Sequence, residues 1–323
     1  MSVLEGILAF TRGYLTYVAA GALIVLLAGC SGAAQPAAQH FMPSALHPPS
    51  SGSGGDLLYI SDAGTNKVYV FSYPDGALVQ TLSGFQDPLH ECSDAAGNVF
   101  IVNTGKSEIL EYAHGGDTPI AALRDAKQFP VDCAVDPVTH DLAVTNYGQK
   151  RSQLGSVSIY AKSKGTPKKH RDPATIAYLF CTYDNKGNLF VTGLDYKYNL
   201  VFLELPQGKS AFVKIALKQA FLGWGGVQWD GQNITIGDGA STVYRFAIQN
   251  QTAKKVGVVQ LTGAVNVASY WLDGDQLIGP DGPNGGNHDV GVWSYPAGGQ
   301  AVATVKGSFQ NPSGVTISVA GSH

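Results

Sequence analysis

Residues 57–62 read LLYISD, four apolar side chains followed by a hydroxyl and an acid. A short apolar run bounded by turn formers marks a strand buried on both faces. The pattern returns as VFIVN (99–103), LAVTN (142–146), LFVTG (189–193), ITIGD (234–238) and LIGPD (277–281). The ends of these six copies lie about 41 to 47 residues apart, the period of a propeller blade of four short strands. Six units of about 44 residues need about 264 residues, and the span 56–320 supplies them.

Around each copy the chain repeats further features. Before it comes a strand ending in a turn: CSDAAGN (92–98), CAVDPVTHD (133–141), CTYDNKGN (181–188), VQWDGQN (227–233) and YWLDGDQ (270–276). Asp with Gly or Asn at such spacing is hairpin chemistry. After it comes a segment alternating with period 2, such as VYVFSYPDG (68–76) and VGVWSYPAG (290–298). The C-terminal NPSGVTIS (311–318) is a first strand lacking its second, and LLYISD is a second strand lacking its first. Pairing the two termini in one blade removes the exposed sheet edges. The expectation is an all-β, six-bladed β-propeller with four-stranded blades, closed by its N- and C-terminal strands. An irregular sandwich and a seven-bladed ring are the competing architectures.

Composition agrees with this. Of 24 Asp+Glu only five are Glu, and Gly 40 is roughly 12% of 323 residues against about 7% usually. Asp and Gly serve turns where Glu serves helices. A net charge of −3 with 14% charged residues excludes a disordered chain and gives no broad basic face for nucleic acid. The basic run Lys162–Arg171 (KSKGTPKKHR) is expected as a solvated loop of the third blade.

The N-terminus carries an address. Residues 14–27 (YLTYVAAGALIVLL) are apolar and uncharged, short for a membrane span but suited to a signal peptide. The run ends in Leu27-Ala28-Gly29-Cys30, which resembles the lipobox of bacterial lipoproteins. That resemblance implies a signal peptide at 1–29, cleavage before Cys30 and acylation of Cys30 (palmitate among the chains). It also implies a protein lipid-anchored to the outer or cell membrane on the extracytoplasmic side of the envelope. Residues 30–55 are rich in Pro, Ser, Gly and Ala and read as a flexible tether; 321–323 are a tail.

Pro-x-Gly-Val at 312–315, the Asp/Gly-Asn turns and the strands ending in Asp or Asn resemble the NHL repeat. More broadly the chain resembles the six-bladed TolB-like propellers, which include gluconolactonase-type hydrolases, and most of all secreted bacterial propeller proteins of uncharacterised activity. This grammar specifies a fold rather than a reaction. Asp62, Asn103, Asn146, Asp238 and Asp281 recur at one blade position, as turn caps would. Cys92, Cys133 and Cys181 lie at near-equivalent points of three successive first strands. Buried packing is their expected role, since first strands that diverge between blades would hold the Cα atoms too far apart for a disulfide.

Polar residues near the starts of first strands face the mouth of the central channel. They are His90, Glu91, Asp132, Gln228 and Asn266. Gluconolactonase-like propellers hold a divalent metal there, and Glu91 and Asp132 are oxygen ligands of the type Ca²⁺ prefers. Blades three to six offer mostly Phe180, Val227, Tyr270 and Val315 nearby, so no cofactor and no tight catalytic metal are expected. No Gly-x-Ser-x-Gly, P-loop or His-Glu-x-x-His motif occurs. The expectation is a monomeric, membrane-tethered module that binds a protein or a small molecule and not nucleic acid. The alternative is a metal-dependent lactonase or esterase.

Overall fold

The computed structural model describes residues 55–148, 154–217, 224–282 and 285–321. The segment expected as a signal peptide, Cys30, all but the last residue of the expected tether, and residues 322–323 lie outside the described residues. Among those described, the only helical structure is two single 3₁₀ turns, at Thr104–Lys106 and Ala161–Ser163.

The first three strands in the chain are β1 (Leu57–Asp62), β2 (Lys67–Ser72) and β3 (Leu78–Leu82). Blade 2 follows with β4 (Pro88–Ser93), β5 (Val99–Asn103), β6 (Glu108–Tyr112) and β7 (Ala121–Arg124). Blade 3 holds β8 (Pro130–Val135), β9 (Leu142–Asn146), β10 (Ser156–Tyr160) and β11 (Lys168–His170). Blade 4 holds β12 (Thr175–Tyr183), β13 (Leu189–Asp195), β14 (Leu200–Leu205) and β15 (Val213–Lys214), with β16 (Ala216–Leu217) leading out of it. Blade 5 holds β17 (Val227–Trp229), β18 (Ile234–Gly237), β19 (Thr242–Gln249) and β20 (Thr252–Thr262). Blade 6 holds β21 (Trp271–Asp273), β22 (Gln276–Asp281), β23 (Asp289–Ser294) and β25 (Ala303–Val305); between the last two, β24 (Gly299–Gln300) pairs with blade 5 instead, and β26 (Pro312–Ser318) follows.

Strand order within blade 1 is β26-β1-β2-β3. The last strand therefore supplies the first blade's innermost position, with Tyr59 opposite Thr316 on one side and Val70 on the other. The ring is a six-bladed propeller closed by both termini. Neighbours within each blade pair antiparallel, and the longest outer strand, β20, has its edge partly covered by parallel pairing with β16 and β24. Covering a long outer edge in this way blunts it as a template for another chain.

Six apolar clusters fill the six gaps between blades. Leu58 and Ile60 face blade 6, where Ile278, Val290 and Val292 meet them. Tyr59 between them faces blade 2 and packs with Val99 and Ile101. Alternate residues of one strand thus enter different interfaces, so LLYI is continuously apolar rather than alternating. Each fully buried large side chain contributes about 1.5–3 kcal/mol of transfer free energy, opposed by the entropy of ordering it.

The recurrent acids and amides hold loops. Asp62 is fully buried; its Oδ1 accepts the Gly64 and Asn311 N–H groups at 2.9 Å, and its Oδ2 accepts that of Gln310 at 2.8 Å. Asn103 accepts from the Gln86 N–H at 2.7 Å, and Asp281 from Val265 and Asn266 at 2.9 and 2.7 Å. In each case the end of a second strand pins the segment that leads into the first strand of its own blade. The turns between first and second strands follow the sequence too. Asp94 accepts the N–H groups of Ala96 and Asn98, and Asp184 accepts those of Lys186 and Asn188. Gly97 and Gly187 supply the positive φ that each turn requires, +84° and +78°. The shared Ser-Tyr-Pro at 72–74 and 294–296 places Tyr73 on Asp273 at 2.9 Å and Tyr295 on Asp230 at 2.6 Å, each bond reaching the preceding blade.

Two expectations are corrected. Lys168–His170, inside the run expected as a solvated loop, forms the outer strand β11, paired with Val157–Ile159. Cys92 and Cys133 form a disulfide between the first strands of blades 2 and 3, with Cα atoms 5.7 Å apart. First strands converge on the axis, so β4 and β8 come within bridging distance instead of diverging. Cys181 is free and buried.

Candidate functional site

The first strands surround the propeller axis, and between them lies a small cavity of about 20 Å³, room for about one water-sized group and partly open to solvent. Every blade contributes to its wall, through Val315, Glu91, Asp132, Phe180, Val227 and Tyr270 for blades 1 to 6 in turn. His90 and Gln228 also line it, so four of the five mouth residues read from the sequence converge there. Asn266 is not part of the wall. It belongs to the segment before β21, where its N–H is held by Asp281.

Irregularities in the inner strands aim these side chains. The pairing of β4 with β5 shifts between Pro88 and Glu91, and that of β8 with β9 between Pro130 and Asp132. A bulge breaks the alternation of a strand, which lets the consecutive residues His90 and Glu91 both reach the cavity.

Glu91 turns toward blade 1. Its Oε1 accepts the Ser61 N–H at 2.9 Å, and its Oε2 is hydrogen-bonded to the Ser61 hydroxyl. Gly314 of β26 leaves the room for this, because a Cβ there would lie 2.5 Å from Oε2 and 2.6 Å from the Leu89 carbonyl oxygen. Burial pushes the Glu91 carboxyl up to about 8; the Ser61 bonds oppose the rise and the nearby Asp132 charge adds to it. Asp132 reaches the other way, its Oδ2 accepting the Cys181 N–H of blade 4 at 2.9 Å. Burial raises it to about 7 against the lowering effect of the Cys181 and Cys133 N–H groups.

His90 lies between them. Its Nδ1 is 3.6 Å from Asp132 Oδ1, and its ring packs against Phe180 with centroids 5.1 Å apart. Burial lowers its pKa to about 4, partly offset by the backbone carbonyls of Val131 and Ser313. The imidazole is therefore neutral at neutral pH, and its contact with Asp132 is not an ion pair. Nδ1 is buried without a hydrogen-bond partner.

Two carboxyls titrating near neutrality could move protons. Glu91, however, is 4% exposed with both oxygens engaged on Ser61, whereas Asp132 has its Oδ2 on the Cys181 N–H and its Oδ1 3.6 Å from His90 Nδ1. Among the described residues no three His, Cys, Asp or Glu side chains come together as metal ligands.

Ser61 and Ser269 were not singled out in the sequence. Ser269 lines the cavity and donates to the Ser313 carbonyl at 2.7 Å. Ser61 had a signal: it holds the next-to-last position of its second strand, as Thr145 does, and Thr145 likewise reaches the inner strand of the following blade, donating to the Leu179 carbonyl at 2.7 Å.

No protein-family model and no curated protein matches the chain. Solved structures do. A chain in the nidogen/laminin complex superposes with a TM-score of 0.63 at 16% identity, over 82% of this chain and 99% of that one. A protein of unknown function from Bacteroides caccae gives 0.59 at 12% identity, and one from Desulfotomaculum acetoxidans 0.57 at 10%, both with the same coverage. At these identities the likeness is one of fold, a propeller throughout.

Proposed function

We propose that this protein is a binding propeller of the bacterial cell envelope, anchored through lipid on Cys30 and taking its ligand at the channel mouth. The observation that carries this reading is the cavity itself. All six blades build it, and it combines apolar walls with a buried, unpartnered His90 Nδ1 and one Asp132 oxygen. The propeller fold is in general suited to binding, and the similar nidogen/laminin structure is described as a complex. A disulfide between inner strands suits an oxidising, extracytoplasmic compartment. The NHL-like and TolB-like resemblance belongs to the same reading, with the protein a monomer that binds no nucleic acid.

The mouth is tested by thermal-shift screening of the full chain with neutral, anionic and cationic small molecules, repeated on Gln228→Trp, which plugs the opening. Stabilisation lost in the plugged variant supports the reading; stabilisation that survives the plug, or none from any class, refutes it. Intact-mass analysis of the membrane fraction tests the anchor, where an unmodified Cys30 in a soluble chain sinks it. The raised pKa values of Glu91 and Asp132 favour one second reading, a hydrolase, which predicts lactone hydrolysis abolished by Asp132→Asn.

A further inference from the structure

We propose that the group recognised at the channel mouth is a primary ammonium, seated between His90 Nδ1 and Asp132 Oδ1. This rests on the mouth being a binding site and adds the chemistry of what it binds.

The argument begins with the two atoms. Both side chains line the cavity, and the two atoms lie 3.6 Å apart, beyond direct hydrogen bonding. Nδ1 has no partner, while backbone carbonyls of Val131 and Ser313 stand by the ring. A neutral imidazole carries one proton; since neither carbonyl bonds to Nδ1, the proton is assigned to Nε2, which makes Nδ1 an acceptor. His90 is 9% exposed, and a buried acceptor left unmade is costly. The other Asp132 oxygen is already taken by the Cys181 N–H. Two acceptors side by side suit one group that donates at least twice, as water does in the free protein and an ammonium does with a charge that the Asp132 carboxylate answers.

The surroundings narrow the class. No Lys or Arg lines the cavity, and two carboxyls stand at it, so an anion has no counter-charge there. The opening beside these atoms admits a group little larger than a water molecule, which suits an ammonium and excludes a quaternary amine. A hydroxyl has one proton to give, an ammonium three. The Phe180 ring beside His90 offers the aromatic neighbourhood that an organic cation tolerates. A divalent metal is a poorer fit, because one carboxylate oxygen and one imidazole nitrogen fall short of the six to eight oxygens that Ca²⁺ takes and of the three or four side chains that hold Zn²⁺, and no such group forms among the described residues. Around Asp132 the other ionisable groups are His90 and Glu91 on β4 and Cys181 on β12; Gln228 on β17 and Tyr270 beside β21 complete the wall.

The test is calorimetric titration of the full chain at pH 8 with methylammonium, tetramethylammonium, methanol, K⁺ and Ca²⁺ in separate runs. Methylammonium alone is expected to bind, with affinity at least tenfold weaker in Asp132→Asn and in His90→Phe. In the unsubstituted protein, methylammonium is expected to shift the ¹⁵N resonance of His90 Nδ1, a readout that does not depend on a variant folding. Binding of tetramethylammonium, K⁺ or Ca²⁺ in place of methylammonium overturns the proposal, as does a folded Asp132→Asn that binds undiminished or a silent His90 resonance. If neutral or anionic molecules stabilise the protein through the mouth while methylammonium does nothing, the ammonium proposal fails and the binding reading stands. If nothing binds at the mouth, both fail.

Discussion

Replacing Cys92 and Cys133 together by Ala isolates the contribution of the inner-strand cross-link. The bridge closes a loop of sequence separation 41. By the chain-entropy relation, such a loop removes about 13 cal/mol/K from the unfolded ensemble, or about 4 kcal/mol at 25 °C. Two terms reduce what is measured. The ring already holds β4 and β8 side by side through the packing of Phe100, Val102, Leu142 and Val144, and residual structure in the unfolded chain shrinks the entropy difference. A loss of about 2–4 kcal/mol is therefore expected. Urea unfolding followed by Trp fluorescence should show a lower midpoint and a steeper slope, because the uncross-linked chain exposes more surface. The unsubstituted protein under reductant should move to the same curve, and the double variant should not respond to reductant at all. A loss below about 1 kcal/mol, or a midpoint indifferent to reductant in the unsubstituted protein, refutes the reasoning.

Glu91→Gln should flatten the fall of stability with rising pH. The folded carboxyl holds its proton up to about pH 8 while the unfolded one sheds it near 4.5, so stability is complete below that value and declines from there to about 8. The shift corresponds to roughly 3–5 kcal/mol across the window; Asp132 adds a decline of the same sign, and His90 opposes both below its ordinary pKa of 6.5. An unchanged slope in chemical denaturation from pH 5 to 9 would contradict the burial argument. Deleting residues 311–323 removes β26, the inner strand of blade 1, and should lower the melting midpoint by more than ten degrees or so, or abolish folding, whereas an ordinary tail would cost almost nothing. Gly314→Ala should cost about 3 kcal/mol or more, since its Cβ would meet the Leu89 carbonyl oxygen and the His90 Cα at 2.6 Å, and backbone cannot step aside as a flexible side chain can. Tyr295→Phe should cost about 1.5–3 kcal/mol by removing the 2.6 Å bond to the Asp230 carboxylate, which Arg245 also holds at 2.8 Å; a loss under 0.5 kcal/mol in urea unfolding would show that bond to be idle.

The architecture was legible because a propeller writes its blade into the chain several times. Each second strand must satisfy two interfaces and then cap the segment leading into its own blade's first strand. LLYISD, VFIVN and LAVTN therefore carry both the apolar run and the terminal acid or amide. Closure was legible for the same reason, since each terminus carries half of a unit. The outer strands were not. Lys168–His170 pairs along one edge and exposes two of its three side chains, so it bears no apolar period to separate it from a solvated loop.

The mouth divides along the same line between what repeats and what does not. His90, Glu91, Asp132 and Gln228 could be placed because position within a repeat fixes distance from the axis, whatever the side chain is. Their partners could not, because those depend on how far adjacent blades approach at the centre. That approach brings Cys92 to Cys133, and it also sets Gly314 against Glu91 and His90 against Asp132. The sequence-based expectation treated the inner strands as diverging and so separated the two cysteines. Convergence instead ties blades 2 and 3 by a covalent bond directly beside the His90–Asp132 pair, since Cys92 follows Glu91 and Cys133 follows Asp132 in the chain. The cross-link thus fixes the spacing of the two strands that carry His90 and Asp132. Under the proposed binding role, holding both groups in place before a ligand arrives lowers the ordering cost of binding, and the covalent constraint between blades 2 and 3 lies directly beside them.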